Sequence, residues 1–438
     1  MTSPIVPITS PARGTSILLR WVARLLLVVF TITMSVAGLE WTLRTFGPVL
    51  PGNYSAHLYL EPHSIYGRFH TPGTIGWIRT SEYMTRVEIN SQGLRERELA
   101  YLKPAGMRRV VVLGDSFVEG AEVAVTDTLP RQLESYLNTT GEDQTEVINA
   151  GVRAFSTGQE FLLLQHEMVR HQPDLVVLVF YGGNDVANNS ARIEHNLTGA
   201  RKPYFALGRD GRLRALSFSP KKQKDEGIVE RLRRESLVFA FLDTGILARF
   251  ATAPNDESAG NEDESDGREQ PDRQFVKTEM PVFAADVSPE WEDAWAITEA
   301  LLAATRDQAE QAGAAFLLVY APTRWEIYQD DWQEILARNR LPDEGWDLDT
   351  PGRRVTEIAA RRGISLLNLS TALRDQAAGQ RLYFQQDVHW MARGHQVAAQ
   401  TVGARILEQG ILDSPNVGLR LLRTTIGDLA AEVGDGGE

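Results

Sequence analysis

Ser116, His389 and Asp387 are the residues of this sequence whose types could together cleave an ester. A serine hydroxyl is a poor nucleophile and needs a base within hydrogen-bond reach. A histidine serves as that base near neutral pH, and a carboxylate orients it and stabilises its protonated form. Asp387, two residues before His389, is the candidate carboxylate. The tetrahedral intermediate also carries an oxyanion that needs preorganised donors. The Ser116 N–H, the Gly151 N–H and the Asn184 side-chain amide could supply them, with glycine at 151 letting a substrate approach the backbone closely. His395 falls on the final helix. A zinc site from Asp387, His389 and His395 has nothing else in the sequence to support it.

The elements that must position these residues alternate. The run Val110-Val111-Val112-Leu113 reads as a buried strand, with Gly114-Asp115-Ser116 as a tight turn at its end. A helix is expected over 128–138, a second strand over 145–149 and a helix over 156–171. A central strand over 175–181 runs into Gly182-Gly183-Asn184-Asp185. Beyond an interruption, helices are expected over 297–313, 353–362 and 393–409, with strands over 315–320 and 364–367. Strands alternating with helices imply βαβ units and a parallel sheet. Parallel strands place their carboxyl ends on one edge, so Ser116, Gly151 and Asn184 can converge there. His389 follows the last strand, on a loop before a helix.

The 438 residues can bury a large core. A net charge of −13 argues against a nucleic-acid partner, which would need a basic excess. The absence of cysteine excludes disulfides, thiolate zinc sites and a cysteine nucleophile. At the N-terminus, Arg13, Arg20 and Arg24 precede an apolar run over 25–39, and Glu40 and Arg44 follow it. Trp21 to Ala23 and Trp41 to Leu43 extend the run to spanning length, with the arginines favouring the N-terminus inside. The expectation is a single-pass anchor in the cytoplasmic membrane, with the body outside it. The rival is a signal peptide cleaved after Ser35-Val36-Ala37.

The expected organisation is a cytoplasmic tip and transmembrane anchor over 1–46, a β-rich lead-in over 47–105, a main α/β domain over 106–410 and a polar tail over 411–438. An insertion over 186–290 interrupts the main domain. Within it, residues 254–273 are acidic, nearly devoid of apolar side chains, and read as a disordered loop.

Together these blocks resemble the SGNH hydrolase superfamily, also called GDSL-type esterases. Gly114-Asp115-Ser116 matches its first block, Gly151 its second, Gly182-Gly183-Asn184-Asp185 its third and Asp387-Val388-His389 its last. The lead-in segment Asn90-Ser91-Gln92-Gly93-Leu94-Arg95 resembles bacterial membrane-anchored members. The resemblance implies a three-layer α/β/α, flavodoxin-like fold and ester hydrolysis with no metal or other cofactor. The last block departs from the common D-x-x-H, whose acid position is Gln386 here. Asp387-Val388-His389-Trp390 is a D-x-H-W variant, similar to that of alginate O-acetyltransferase-like members. The first expectation is therefore an extracytoplasmic serine esterase acting on a small-molecule or polysaccharide ester. An O-acyltransferase using the same residues and a catalytically silent polysaccharide-binding subunit are the alternatives.

Overall fold

The structure, a computed structural model, describes residues 13–47, 60–195, 198–219, 236–242 and 279–412, with Leu232 and Val276. The tip over 1–12, the acidic segment 254–273 and the tail from 413 lie outside the described residues. The chain forms two compact units, Met1–Pro51 with Glu226–Asn255, and Gly52–Asp225 with Asp256–Glu438.

The first unit contains one long helix, Arg13–Phe46. Its segment Leu19–Phe46 has 28 residues and a mean hydropathy of 2.1. At about 1.5 Å per residue this is ~42 Å of helix, more than the ~30 Å of a bilayer's hydrocarbon core. The flanking residues do extend the apolar run into one continuous helix. Leu25, Phe30, Ile32 and Trp41 project outward, each more than half exposed. Glu40 pairs with Arg44 at 2.8 Å. It also accepts hydrogen bonds at 3.0 Å from the Ser236 hydroxyl and the Leu237 and Val238 N–H groups, at the start of the short helix Leu237–Phe241.

Among the described residues, the second unit has the strands β1 (Leu60–His63), β2 (Gly67–His70), β3 (Ile75–Arg79), β4 (Met84–Glu88), β5 (Arg108–Gly114), β6 (Thr145–Gly151), β7 (Leu175–Tyr181), β8 (Phe205–Leu207), β9 (Leu213–Ala215), β10 (Ala315–Ala321) and β11 (Leu366–Asn368). Five of them form one sheet in the order β6-β5-β7-β10-β11, and every pair is parallel. Counted by appearance within the sheet this is 2-1-3-4-5, the flavodoxin-like order. The chain reverses its winding direction between β5 and β7, and in such sheets ligands bind in the crevice at that point.

Strict alternation divides the core. Val111, Leu113, Val176, Leu178, Phe180 and Leu318 face one side, against helices Thr157–His166, Pro289–Gln311 and Thr350–Arg362. Val110, Val112, Val177, Val179, Leu317 and Val319 face the other, against helices Leu129–Thr140, Ser370–Ala377 and Ala392–Glu408. The expected three layers are present. Helix Pro289–Gln311 begins earlier than its apolar periodicity indicated, because Ser288 caps it and Pro289 opens it. Helices Gln329–Asn339 and Ser370–Ala377 had no counterpart in the sequence reading. The insertion contributes helix Asp185–Asn189 and the hairpin β8–β9.

Among its described residues the lead-in forms two separate hairpins, β1–β2 and β3–β4, neither of which pairs with the central sheet. Its block Asn90 to Arg95 is a tether. Asn90 Oδ1 accepts from the Gln92 and Leu94 N–H groups, and Gly93 takes a left-handed φ of 78°. Arg95 is buried. Its guanidinium donates to the carbonyls of Glu119 (2.9 Å), Gly120 (2.5 Å) and Val123 (2.7 Å). The lead-in therefore fixes the loop that follows Ser116.

Candidate active site

Ser116 opens the short helix Ser116–Glu119 directly after β5. Asp115 caps that helix by accepting from the Phe117 N–H at 2.9 Å. The left-handed Gly120 ends it after one turn. His389 Nε2 lies 2.7 Å from Ser116 Oγ. His389 Nδ1 is bonded to Asp387 Oδ1, and the same oxygen accepts the His389 backbone N–H at 3.0 Å. A serine, an imidazole and a carboxylate thus form one hydrogen-bonded chain across 273 residues of sequence separation.

The loop that carries the acid and base is clamped at its base. Phe384 N–H donates to His389 O at 3.0 Å and Met391 N–H to Leu382 O at 2.7 Å, beside a bridge between Tyr383 and Trp390. Trp390 is fully buried, edge-on to Phe117 and Tyr383. It anchors the loop to the core, which gives the tryptophan of D-x-H-W a packing reason. The tip between 384 and 389 is a turn and not an extended strand. Asp387 and His389 meet because the carboxylate bonds both the backbone and the ring of the residue two positions on.

Three residues with no sequence signal support the tip. Glu82, in the turn between β3 and β4, accepts the N–H groups of Gln385 (2.6 Å), Gln386 (2.8 Å) and Asp387 (2.9 Å). Tyr83 donates its hydroxyl to Asp387 Oδ2 at 2.9 Å. Arg324 donates to the Gln385 carbonyl at 2.6 Å. Gln386 itself is exposed and accepts from the Ser81 hydroxyl at 3.0 Å, directed away from His389.

Electrostatics follow from this wiring. Burial pushes Asp387 up, but His389 and the bonds from its ring, its backbone and Tyr83 outweigh that, and the carboxyl is held well below the usual range. Burial pushes His389 down, but the carboxylates of Glu122 and Asp387 outweigh it and raise the imidazole to about 9. Burial drives the Tyr83 phenol up, with Asp387 and Glu122 adding to the shift, so it stays protonated and can donate.

Asn184 follows β7 and occupies the N-cap position of helix Asp185–Asn189, where its side chain helps to lower the pKa of the buried Asp115 against the upward push of burial. It lies where the sequence placed it, across the crevice from β5. Gly151 differs from expectation. Its N–H donates to Asn149 Oδ1 at 3.0 Å. A Cβ at 151 would lie 2.2 Å from Glu119 N and 2.6 Å from Val118 C. The close approach that needs glycine here is that of helix Ser116–Glu119. His395 is buried on the final helix, accepts from the Leu129 N–H at 3.2 Å, and is held neutral by burial, with a pKa near 3. Among the described residues, Glu122, Asp387 and His389 form a group with metal-ligand spacing. Both ring nitrogens of His389 are already bonded within the triad.

Residues 283–435 match a family described as "SGNH hydrolase-like domain, acetyltransferase AlgX". That stretch is similar to an SGNH hydrolase-like domain. The match contains Asp387, His389 and Trp390 and leaves Ser116, Gly151 and Asn184 outside it. No curated protein matches the chain. Solved structures similar to it include a lipase/acylhydrolase from Enterococcus faecalis, at 12% identity over 69% of this chain and 97% of that one, with a TM-score of 0.35. Another is an acetylxylan esterase, Axe2, from Geobacillus stearothermophilus, at 10% identity over 70% of this chain and 95% of that one, with a TM-score of 0.33.

Proposed function

We propose that the protein is a membrane-anchored serine enzyme that takes an acyl group from an ester onto Ser116, outside the cytoplasmic membrane. The observation that carries this reading is the unbroken chain Ser116 Oγ, His389 Nε2, His389 Nδ1, Asp387 Oδ1 at the winding-reversal crevice of the sheet. His389 takes the serine proton as Oγ attacks the ester carbonyl. The carbonyl π pair moves to oxygen and is held by the Ser116 N–H and the Asn184 side-chain amide. His389 then returns the proton to the departing alcohol as the C–O bond breaks. Gly151 supports this site by letting the nucleophile's helix sit against β6.

Esterase chemistry, with water as the acceptor, is the simplest completion. The D-x-H-W block and the acetyltransferase family that matches residues 283–435 favour a second completion, in which a sugar hydroxyl of an exported polysaccharide takes the acyl group. The same residues serve both, since only the second nucleophile changes. Turnover of p-nitrophenyl acetate by the whole protein tests the reading, with acetylated and unacetylated oligosaccharides as competing acceptors. Free acetate released in step with p-nitrophenol, whether or not oligosaccharide is present, identifies the esterase, and acetyl groups found on the oligosaccharide identify the transferase. No turnover and no acylated Ser116 would overturn both.

The anchor rests on helix Arg13–Phe46 and its outward apolar side chains. A periplasm-dependent phosphatase fused to the C-terminus should be active, and the protein should keep its N-terminal segment in the membrane fraction. A fusion active only in the cytoplasm would reverse the topology, and a mature N-terminus at Gly38 would show cleavage.

A further inference from the structure

The nucleophile, base and acid leave one neighbouring carboxylate unexplained. Glu122 lies three residues beyond the end of helix Ser116–Glu119, with its side chain 1% exposed. Its Oε1 is 3.6 Å from His389 Nδ1, the nitrogen that also bonds Asp387. The same Oε1 accepts from Arg153 Nη2 at 2.7 Å, while the buried Oε2 has no hydrogen-bond partner among the described residues. A buried carboxylate with an idle oxygen destabilises a fold unless a nearby positive charge compensates it. Arg153 supplies part of that charge. The imidazolium of His389 supplies the rest whenever the ring is protonated.

We infer that Glu122 is a positioning residue for the reaction proposed above, a second carboxylate that holds the His389 imidazolium together with Asp387. Asp387 fixes the ring by hydrogen bonds, and Glu122 acts on its charge. Starting from the neutral ring that acts as base, the interaction strengthens as the proton moves from Ser116 Oγ to His389 Nε2, so it favours the transition state over that neutral-ring form. The other groups that act on the ring do not duplicate this. Asp115 is bonded to the Phe117 N–H, Glu279 lies against Gly183, Arg153 opposes the charge, Tyr83 acts through Asp387, and His395 is neutral.

This inference rests on the serine-enzyme reading, and the test separates the two. The whole protein in detergent is assayed with p-nitrophenyl acetate from pH 5 to 10 as wild type, Glu122→Gln, Glu122→Asp, Asp387→Asn and the double variant. Labelling of Ser116 by a fluorophosphonate is measured in parallel. Wild-type kcat/KM should rise with pH through an acidic limb above the ordinary histidine value, because only neutral His389 is a base. In Glu122→Gln the limb should move down by about one pH unit, with kcat about tenfold lower. Glu122→Asp, whose carboxylate is drawn back by one methylene, should fall between. The residual rate of Asp387→Asn should drop further in the double variant. A limb unchanged in the Glu122 variants overturns the inference while leaving the reading intact. If Glu122→Gln does not fold, the limb of Glu122→Asp decides alone. Wild-type protein with neither turnover nor labelled Ser116 overturns the reading and the inference with it.

Discussion

Replacing Ser116 with alanine should abolish acyl-enzyme formation and lower kcat by at least about three powers of ten, with the fold retained. The hydroxyl sits at the start of a one-turn helix whose backbone is fixed by other groups. Asp115 caps it, Gly120 ends it, and Arg95 ties down the carbonyls behind it. Deleting one oxygen removes none of these bonds. What is lost is the nucleophile 2.7 Å from His389 Nε2. The residual rate should be what oxyanion donors and binding supply without it. A fluorophosphonate should label wild-type protein at one serine and leave Ser116→Ala unlabelled. Label on another serine, or label retained in the variant, would displace Ser116 from its role.

The second large effect is expected at Asp387. Asp387→Asn should lower kcat by about four powers of ten, as the same change does in the triad of chymotrypsin-type proteases. An amide in this position offers no charge to the imidazolium and favours the wrong ring tautomer. The pocket for Asp387 is built from donors: the His389 ring and backbone, and the Tyr83 hydroxyl. An asparagine NH2 would face one of these donors with nothing to accept. Gln386→Ala should cost less than about tenfold, because Gln386 bonds Ser81 on the outer side of the tip. Steady-state kinetics on the two variants settles the comparison. Equal losses, or a nearly silent Asp387→Asn, would move the acid elsewhere.

These expectations depend on the lead-in as much as on the main domain. Glu82 and Tyr83 hold the tip that carries Asp387, although they lie about three hundred residues earlier in the chain. Their hairpin shows only alternation at β4, and nothing in its spacing marks an acid that accepts three consecutive N–H groups. Glu122 and Arg153 were equally silent. Each is an ordinary charged residue in a loop, and its role exists only because β5 and β6 end side by side.

By itself the sequence determined the parallel α/β sheet and singled out Ser116, His389 and Asp387, which the structure brings into hydrogen-bond contact. Continuous runs such as 110–113 and 175–181 can be buried only on both faces, and a serine at the end of one strand needs a distant histidine as its base. The apolar run near the N-terminus was likewise legible, because spanning length is a local property. The sequence did not determine the role of Gly151, whose missing Cβ makes room for the helix after Ser116. Nor did it determine the turn that joins Asp387 to His389, or the clamp that the lead-in places on that turn. Periodicity reports which face of an element is buried. Which loop tips meet at the edge of the sheet is decided by strand order and by hydrogen bonds between segments far apart in the chain, and only the tertiary structure contains those.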